Sequence, residues 1–306
     1  MFDLPEKIKN QGTAVALGYF DGIHLGHCAV LESALRCAQE ENLVPVVMLF
    51  DVHPRKIIQG KTPPMLKSEV SKRKLLVKMG FTVVDFNFRE SVNCSPEEFV
   101  QKILIEGLNA RAVSCGFDFH YGKGGKGNVE SLKRELEKKQ VKVVAEAPIV
   151  LDGQKVSSTA IREFITEGEI EKANAMLGRC FSYDFAVRKG DGLGRVMGFP
   201  TINQWFPEDH VVPKYGVYAS KAFVDGVWYP SVTNVGIRPT VSSENMRSET
   251  CILDFSGDLY GKNVEVALVR YLRPEVKFSD LQALSAQIEK DIQQARIIYK
   301  EVESNG

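Results

Sequence analysis

Near Arg179–Tyr183 the chain changes its hydrophobic rhythm, and this change limits the folds open to it more than any other feature. Before it, strand-length apolar runs alternate with stretches of helical spacing. After it come short runs rich in aromatic and β-branched residues, separated by Gly and Pro. The first pattern predicts strands at Ala14–Leu17, Val44–Phe50, Phe81–Phe86, Ala112–Cys115 and Val141–Ala145. Helices are expected at Leu25–Glu40, Val70–Met79 and Val129–Lys139. Ser95-Pro96-Glu97-Glu98 is a helix start, with a Ser cap, Pro in the first turn and Glu closing a capping box. Repeated strand–helix units imply a mainly parallel sheet covered by helices, a Rossmann-like α/β layout that binds ligands at the carboxyl ends of its strands. The second pattern predicts strands at Phe181–Val187, Gly216–Phe223, Val227–Val232, Thr250–Phe255 and Val264–Tyr271, as in a small antiparallel β-barrel. One helix closes the chain. Ser279-x-x-Gln282 is its expected capping box, and Leu281, Leu284, Ile288, Ile292, Ala295 and Tyr299 share the face that packs onto the barrel. Two domains are expected, residues 1–180 and 181–306.

Composition removes several classes of function. The 306 residues carry 39 basic and 39 acidic side chains, so a general nucleic-acid binder or anionic-membrane binder is disfavoured. No apolar run approaches the roughly 18–20 residues of a membrane helix, and the N-terminus has no apolar signal region. Cys28, Cys37, Cys94, Cys115, Cys180 and Cys251 are scattered without a Cys-x-x-Cys pair. That pattern suits reduced thiols in a cytoplasm rather than a disulfide framework or a zinc site. With no basic surface, any phosphate must be held by a few placed groups.

The first such group is Gly18-Tyr19-Phe20-Asp21-Gly22-Ile23-His24-Leu25-Gly26-His27, which runs from the first strand into the first helix. Glycines permit a sharp turn and close approach of a ligand, and the free N–H groups of the helix start form an anion site. His24 and His27 are three apart, and two imidazoles on one face could donate hydrogen bonds to phosphate oxygens. No Gly-Lys-Ser/Thr follows, so this is not a P-loop. Phe50-Asp51-Val52-His53-Pro54 puts His53 past the end of the second strand. The glycine-rich run Gly116–Gly127, containing Asp118, Lys123 and Lys126, reads either as a mobile flap over phosphates or as a solvated connection. Ser157-Ser158-Thr159-Ala160-Ile161-Arg162 opens a helix, with hydroxyls for capping and Arg162 placed for a phosphate.

In the second half, Gly190-Asp191-Gly192-Leu193-Gly194-Arg195-Val196-Met197-Gly198-Phe199-Pro200-Thr201-Ile202-Asn203 is the densest signal. Backbone N–H groups of Gly190, Gly194 and Gly198 could wrap a polyphosphate. If 201–203 is extended, Thr201 and Asn203 face the same way, and their oxygens suit a hard cation such as Mg²⁺. A Gly-rich hairpin followed by ordinary strand polar residues is the alternative.

Together these motifs resemble the bifunctional riboflavin kinase/FAD synthetase family, whose first loop is the His-x-Gly-His signature of a nucleotidyltransferase superfamily. The likeness spans residues 12 to about 296, with two unrelated motif sets in the family's order. It implies that Gly18, Phe20, Asp21, Gly22, Gly26, Ser158 and Thr159 bind ATP, as do His24, His27 and Arg162, which also stabilise charge in adenylyl transfer. Asp118 and His53 would contact the flavin. In the barrel, Gly190, Gly194, Arg195 and Gly198 would bind ATP, and Thr201 and Asn203 the Mg²⁺-nucleotide. Tyr215-Gly216-Val217-Tyr218, Asn234-Val235-Gly236-Ile237-Arg238-Pro239-Thr240 and Leu272-Arg273-Pro274-Glu275 are further landmarks, with Arg273 on the flavin. Glu249, ahead of Leu253-Asp254-Phe255, corresponds to the family's base. The substrates implied are riboflavin, FMN and ATP. The chain departs from the pattern at Val52 (usually Pro), Tyr121 (usually Phe), Lys123 and Lys126 (usually Arg), Ile202 (usually Ala) and Cys251 (usually His). A kinase with an impaired adenylyl-transferring half, and a flavin-binding protein without turnover, remain alternatives.

Overall fold

A computed structural model describes residues 6–50, 60, 62–87, 93–190, 192–238 and 245–304. The chain packs as two compact units, residues 1–63 with 69–157 and residues 64–68 with 158–306. His53, Asp191, Pro239 and Thr240 lie outside the described residues.

The first unit holds a parallel sheet of β1 (Thr13–Leu17), β2 (Val44–Phe50), β3 (Thr82–Phe86), β4 (Ala110–Gly116) and β5 (Lys142–Glu146). Their order is β3-β2-β1-β4-β5, and every neighbouring pair is parallel. The chain runs outward from β1 to β3 and then returns to add β4 on the other side of β1. That reversal opens a crevice at the carboxyl ends of β1 and β4. All five residues of β1 are buried. Val15 and Leu17 join the core with Met48, Leu104 and Val113, while Ala16 joins Phe20, Leu31, Val47 and Leu76 on the opposite face. Burial on both faces explains the continuous apolar run.

The helices α1 (Glu6–Gln11), α2 (Leu25–Glu40), α3 (Glu69–Lys78) and α5 (Val129–Glu137) surround this sheet, with α2 at the expected residues. The Ser95 start is realised in α4 (Pro96–Glu98), which continues as a π-helix over Phe99–Gly107. Glu98 N–H donates to Ser95 Oγ at 3.1 Å, and Ser95 N–H donates to the Glu98 carboxylate at 2.9 Å. A short hairpin, β6 (Val150–Leu151) and β7 (Gln154–Lys155), ends this unit.

The second unit begins with α6 (Ser158–Glu167) and α7 (Ile170–Leu177), the latter stopped by left-handed Gly178. An antiparallel half-barrel follows: β8 (Phe181–Ala186), β9 (Thr201–Trp205), β10 (Gly216–Val224), β11 (Val227–Arg238), β12 (Asn245–Ile252) and β13 (Asn263–Arg273). A short helix, α8 (Leu193–Val196), precedes β9. The strand order is β8-β13-β10-β11-β12-β9. Its two edges approach where Arg188 N–H donates to Asn203 O at 2.9 Å.

The strand expected at Thr250–Phe255 lies earlier, because the chain leaves the sheet at Leu253 and turns through left-handed Asp254. The closing helix is α9 (Leu281–Ser304). Its cap is Asp280 rather than Ser279: Asp280 Oδ1 accepts from Ala283 N–H at 2.8 Å, and the Ser279 hydroxyl donates to the same carboxylate. A carboxylate one residue closer to the helix reaches the third N–H directly. Ala295 and Ile298 pack on Val217, Ala219, Val232 and Val269. Leu281, expected on that face, is 58% exposed, because the first turn projects past the sheet contacts.

Candidate active sites

The crevice between β1 and β4 contains a cavity of about 300 Å³. Five of the residues expected for ATP in the first loop line it: Gly18, Phe20, Gly26, His24 and His27. Two non-glycine residues in this loop, Phe20 (φ 55°) and Ile23 (φ 45°), adopt the left-handed region, as does Gly22 (φ 77°). Their side chains are buried, and core packing holds the strained turn in place. A Cβ on Gly18 would lie 3.0 Å from the Phe20 ring, and one on Gly26 would lie 3.3 Å from the His24 ring. Both glycines therefore serve close packing of the aromatic and imidazole rings.

His24 caps α2, its Nδ1 accepting from His27 N–H at 3.3 Å. With Nδ1 used as an acceptor, the neutral ring carries its proton on Nε2, which fixes a donor at the far side of the ring. The two imidazoles stack with centroids 3.6 Å apart, and His27 meets Phe20 edge-on at 5.4 Å. Behind the loop, buried Lys72 donates to Tyr19 O at 3.2 Å and to Glu69 at 2.8 Å. Asp21 is buried in the turn, and neither it nor Gly22 lines the cavity. Ser158, Thr159 and Arg162 open α6 in the other unit, where Arg162 donates to Pro64 O at 2.5 Å.

The Gly116–Gly127 run divides in two. Phe117, Asp118, Phe119 and His120 line the cavity, whereas Lys123 and Lys126 do not. The run is not a loose connection at its centre. Tyr121 is 5% exposed, packs on Phe99 and Phe119, and shares a hydrogen bond with Ser131 Oγ at 3.2 Å. Its hydroxyl thus has a partner that a Phe would not need. Sequence reasoning missed Lys155, which β7 brings to the cavity. Its Nζ lies 3.0 Å from Asp118 Oδ2 and 4.3 Å from the Phe117 ring centroid. It is the one Lys or Arg in a lining that also holds two carboxylates, Asp118 and Glu146. No spacing rule picks it out, because a hairpin of non-local position delivers it.

The second site is built by strand register. Asn203 on β9 pairs directly with Glu249 on β12, and Glu249 pairs with Asn234 on β11. The same row continues through Val217 on β10 to Arg273 on β13. Directly opposed residues put their side chains on one face, with Cβ atoms about 4.5–5.5 Å apart. The next row on that face is Thr201, Cys251 and Val232. These residues, with Phe199, Phe278, Leu284 and Ile288, line a mainly apolar cavity of about 330 Å³, with Asn203 the one row member outside the lining. Thr201 also lines a second cavity of about 610 Å³, to which Arg195, Ile202, Thr250 and Tyr260 contribute.

Glu249 is ion-paired with Arg247 and remains about one-third exposed. Arg273 makes a bidentate contact with buried Asp291 of α9, at 2.7 and 3.1 Å, and Gln287 donates to the same carboxylate. Cys251 is buried, and burial pushes its thiol up to about 11, so it stays neutral. Gly190 packs against the Asn203 amide so tightly that a Cβ would lie 2.5 Å from Nδ2. A Cβ on Gly194 would come within 2.4 Å of Phe199 O. Gly198 (φ 85°) turns the chain toward β9, and neither it nor Gly190 is in the lining of these two cavities. The oxygens of Thr201 and Asn203 form a hard, neutral donor set on one strand face, the amide held by its glycine cradle. Such a set fits a Mg²⁺ ion that keeps phosphate and water ligands.

Comparison with known proteins finds a match for each half of the chain. Residues 6–160 match the FAD synthetase family and residues 177–299 the riboflavin kinase family. The bifunctional riboflavin kinase/FMN adenylyltransferase of Listeria monocytogenes is 37% identical over 94% of this chain and 93% of its own. Those of Bacillus subtilis and Escherichia coli K12 are 36% and 32% identical, over 92% and 94% of this chain and 91% and 93% of theirs. A solved structure titled a macrolide-efflux protein from Streptococcus pneumoniae superposes with a TM-score of 0.83 at 29% identity, covering 94% of this chain and 96% of that one. Among the described residues, no helix is long and apolar enough to cross a membrane. A parallel α/β unit with a paired-histidine loop, a half-barrel with Thr, Asn and Glu on adjoining rows of one face, and relatives matched over nearly their whole length place this chain in the bifunctional riboflavin kinase/FMN adenylyltransferase family.

Proposed function

We propose that the chain makes FAD from riboflavin in two ATP-dependent steps, with residues 181–306 acting as the kinase and 1–180 as the adenylyltransferase. By packing, α6 and α7 belong with the half-barrel, so the proposed functional boundary lies about twenty residues beyond the packing boundary. The observation that carries the reading is the direct pairing of Glu249 with Asn203 beside two cavities that share Thr201. The apolar cavity suits a flavin ring, and the larger one suits ATP.

In the first step the terminal ribityl hydroxyl attacks the γ-phosphorus. Glu249 takes its proton, the bond from the γ-phosphorus to the bridging oxygen breaks, and ADP leaves. Thr201 and Asn203 would hold the Mg²⁺ that neutralises phosphate charge. Gly190, Gly194 and Gly198 shape the loop ahead of them, and Arg195 faces the nucleotide. Arg273, fixed by Asp291, borders the flavin. In the second step an FMN phosphate oxygen attacks the α-phosphorus of ATP, and pyrophosphate leaves. That nucleophile is already an anion and needs no base. His24, His27 and Lys155 meet charge on the phosphates, and Asp118 positions Lys155. The assignments of Asp21, Gly22, Ser158, Thr159 and Arg162 to ATP rest on the family likeness. All six cysteines are free thiols, which suits a reducing cytoplasm.

The deciding experiment incubates the purified protein with riboflavin, ATP and Mg²⁺ and separates the flavins by chromatography. FMN followed by FAD is expected. FMN alone would sink the second step, and no conversion would favour a binding protein. Two variants sharpen the assignment. Gly190→Ala should push the Asn203 amide off its row and lower riboflavin phosphorylation at least about tenfold, while FAD formation from supplied FMN is unchanged. Lys155→Met should lower FAD formation from FMN by about tenfold or more, with Lys155→Arg recovering much of it, because a charged hydrogen bond to phosphate is lost and restored.

A further inference from the structure

Across the strand ladder from Glu249, Asn234 carries a buried acceptor with no donor among the described residues. The side chain of Asn234 is anchored at one end only: Nδ2 donates to Glu275 Oε1 at 3.0 Å. Its Oδ1 is buried and has no hydrogen-bond partner among the described residues. The orientation of this amide follows from chemistry. An ionised carboxylate only accepts, so the NH₂ end must face Glu275 and the carbonyl end must face away. Glu275 in turn is seated over Gly236, where a Cβ would lie 2.3 Å from its carboxylate oxygen. A glycine on β11 therefore lets Glu275 come close enough to hold the amide. Asn234 lines the apolar cavity and stands directly across from Glu249 in the strand ladder.

An unsatisfied buried acceptor is costly in the free protein and gains most from a ligand that supplies the missing donor. We propose that Asn234 is a specificity-determining residue of the kinase site, its Oδ1 accepting a hydrogen bond from a ribityl hydroxyl next to the one that receives the phosphoryl group. The proposal rests on the reading of this cavity as the riboflavin site. The register supports the placement. The base and the acceptor occupy neighbouring strands at one level, with Cβ atoms about 4.5–5.5 Å apart, so both can reach hydroxyls of one polyol chain. The flavin ring would then lie toward Phe278, Leu284 and Ile288, which supply apolar surface in the same cavity.

The test compares wild type with Asn234→Leu, which keeps the bulk and removes the acceptor. Substrates are riboflavin and analogues that each lack one non-terminal ribityl hydroxyl. For riboflavin, kcat/KM is expected to fall about ten- to a hundredfold in the variant. For one analogue, wild type and variant should become nearly equal, because the contact is already absent. FAD formation from supplied FMN should be unchanged, and a thermal melt that keeps the wild-type transition of the half-barrel controls for its folding. If Asn234→Leu loses that control, Asn234→Ala, which adds no bulk, is carried through the same panel. An equal loss for every analogue, or no loss for riboflavin, overturns the proposal. Titration of riboflavin fluorescence separates this outcome from failure of the kinase reading. A wild type that binds riboflavin without phosphorylating it would refute the kinase function, while the analogue-dependent Kd would still report on Asn234.

Discussion

Glu249→Gln is expected to lower riboflavin phosphorylation by about two to four orders of magnitude, the usual range for loss of a general base. Gln keeps the shape and can still hydrogen-bond the attacking hydroxyl, but it cannot take the proton. The fall should therefore appear in kcat, with KM for riboflavin little changed. Nothing in the row replaces the lost function. Asn203 and Asn234 flank Glu249 on the paired strands and are amides, and Cys251 stays neutral with its thiol pushed up to about 11. Arg247 would lose its ion pair with Glu249, a side effect within the half-barrel. FAD formation from supplied FMN should proceed at the wild-type rate. A variant that still phosphorylates riboflavin within tenfold of wild type would remove Glu249 from the mechanism.

His27→Ala should produce the opposite separation: FMN accumulates, and FAD formation falls by about two to three orders of magnitude. That is the typical loss when one donor to a developing anionic charge is removed. His27 is the cleaner target of the pair. His24 also caps α2 through Nδ1, so its removal would disturb the helix start as well as the cavity. The His27 ring stacks on His24 and meets the edge of Phe20, so its loss opens space while the loop backbone keeps its Phe20 and Ile23 turn. Steady-state assays from FMN and from riboflavin, run on one preparation, check the result. Loss of both activities in a folded protein would mean that the reactions are not divided between the two units.

Much of the fold is legible in the sequence because local burial leaves a local pattern. A strand buried on both faces, such as β1, must be apolar throughout, and α2 must present Leu31 and Ala34 at helical spacing to reach the sheet. Errors arise where local patterns mislead. Leu253 and Phe255 look like strand but leave the sheet through left-handed Asp254, and Asp280 outcompetes Ser279 as a cap because its carboxylate reaches Ala283 N–H. The sites were legible as residue types, not as arrangements. Thr201, Asn203 and Glu249 are visible as candidates, but their contact depends on β9 pairing with β12 across more than forty positions. Lys155 gave no distinguishing signal and Asn234 stood out only as part of a family landmark, since a hairpin and a strand register bring them to their cavities.

The ladder that aligns Asn203, Glu249 and Asn234 also makes the proposed kinase site all-or-none under changes of chain length. Strand pitch, not side-chain packing, sets the separation between Glu249 and the two amides, so core substitutions can soften the half-barrel without moving them apart. Deleting one residue between Asn245 and Ser248 would have a different result. With the start of β12 held in register, every later side chain of the strand would change face, Thr250 would take the place of the carboxylate, and the hydroxyl contact of Thr250 with Thr233 would be broken. Sequence drift in this family member can therefore tune the kinase through α9 and the cavity walls, whereas insertions and deletions within β12 should be purged as complete losses.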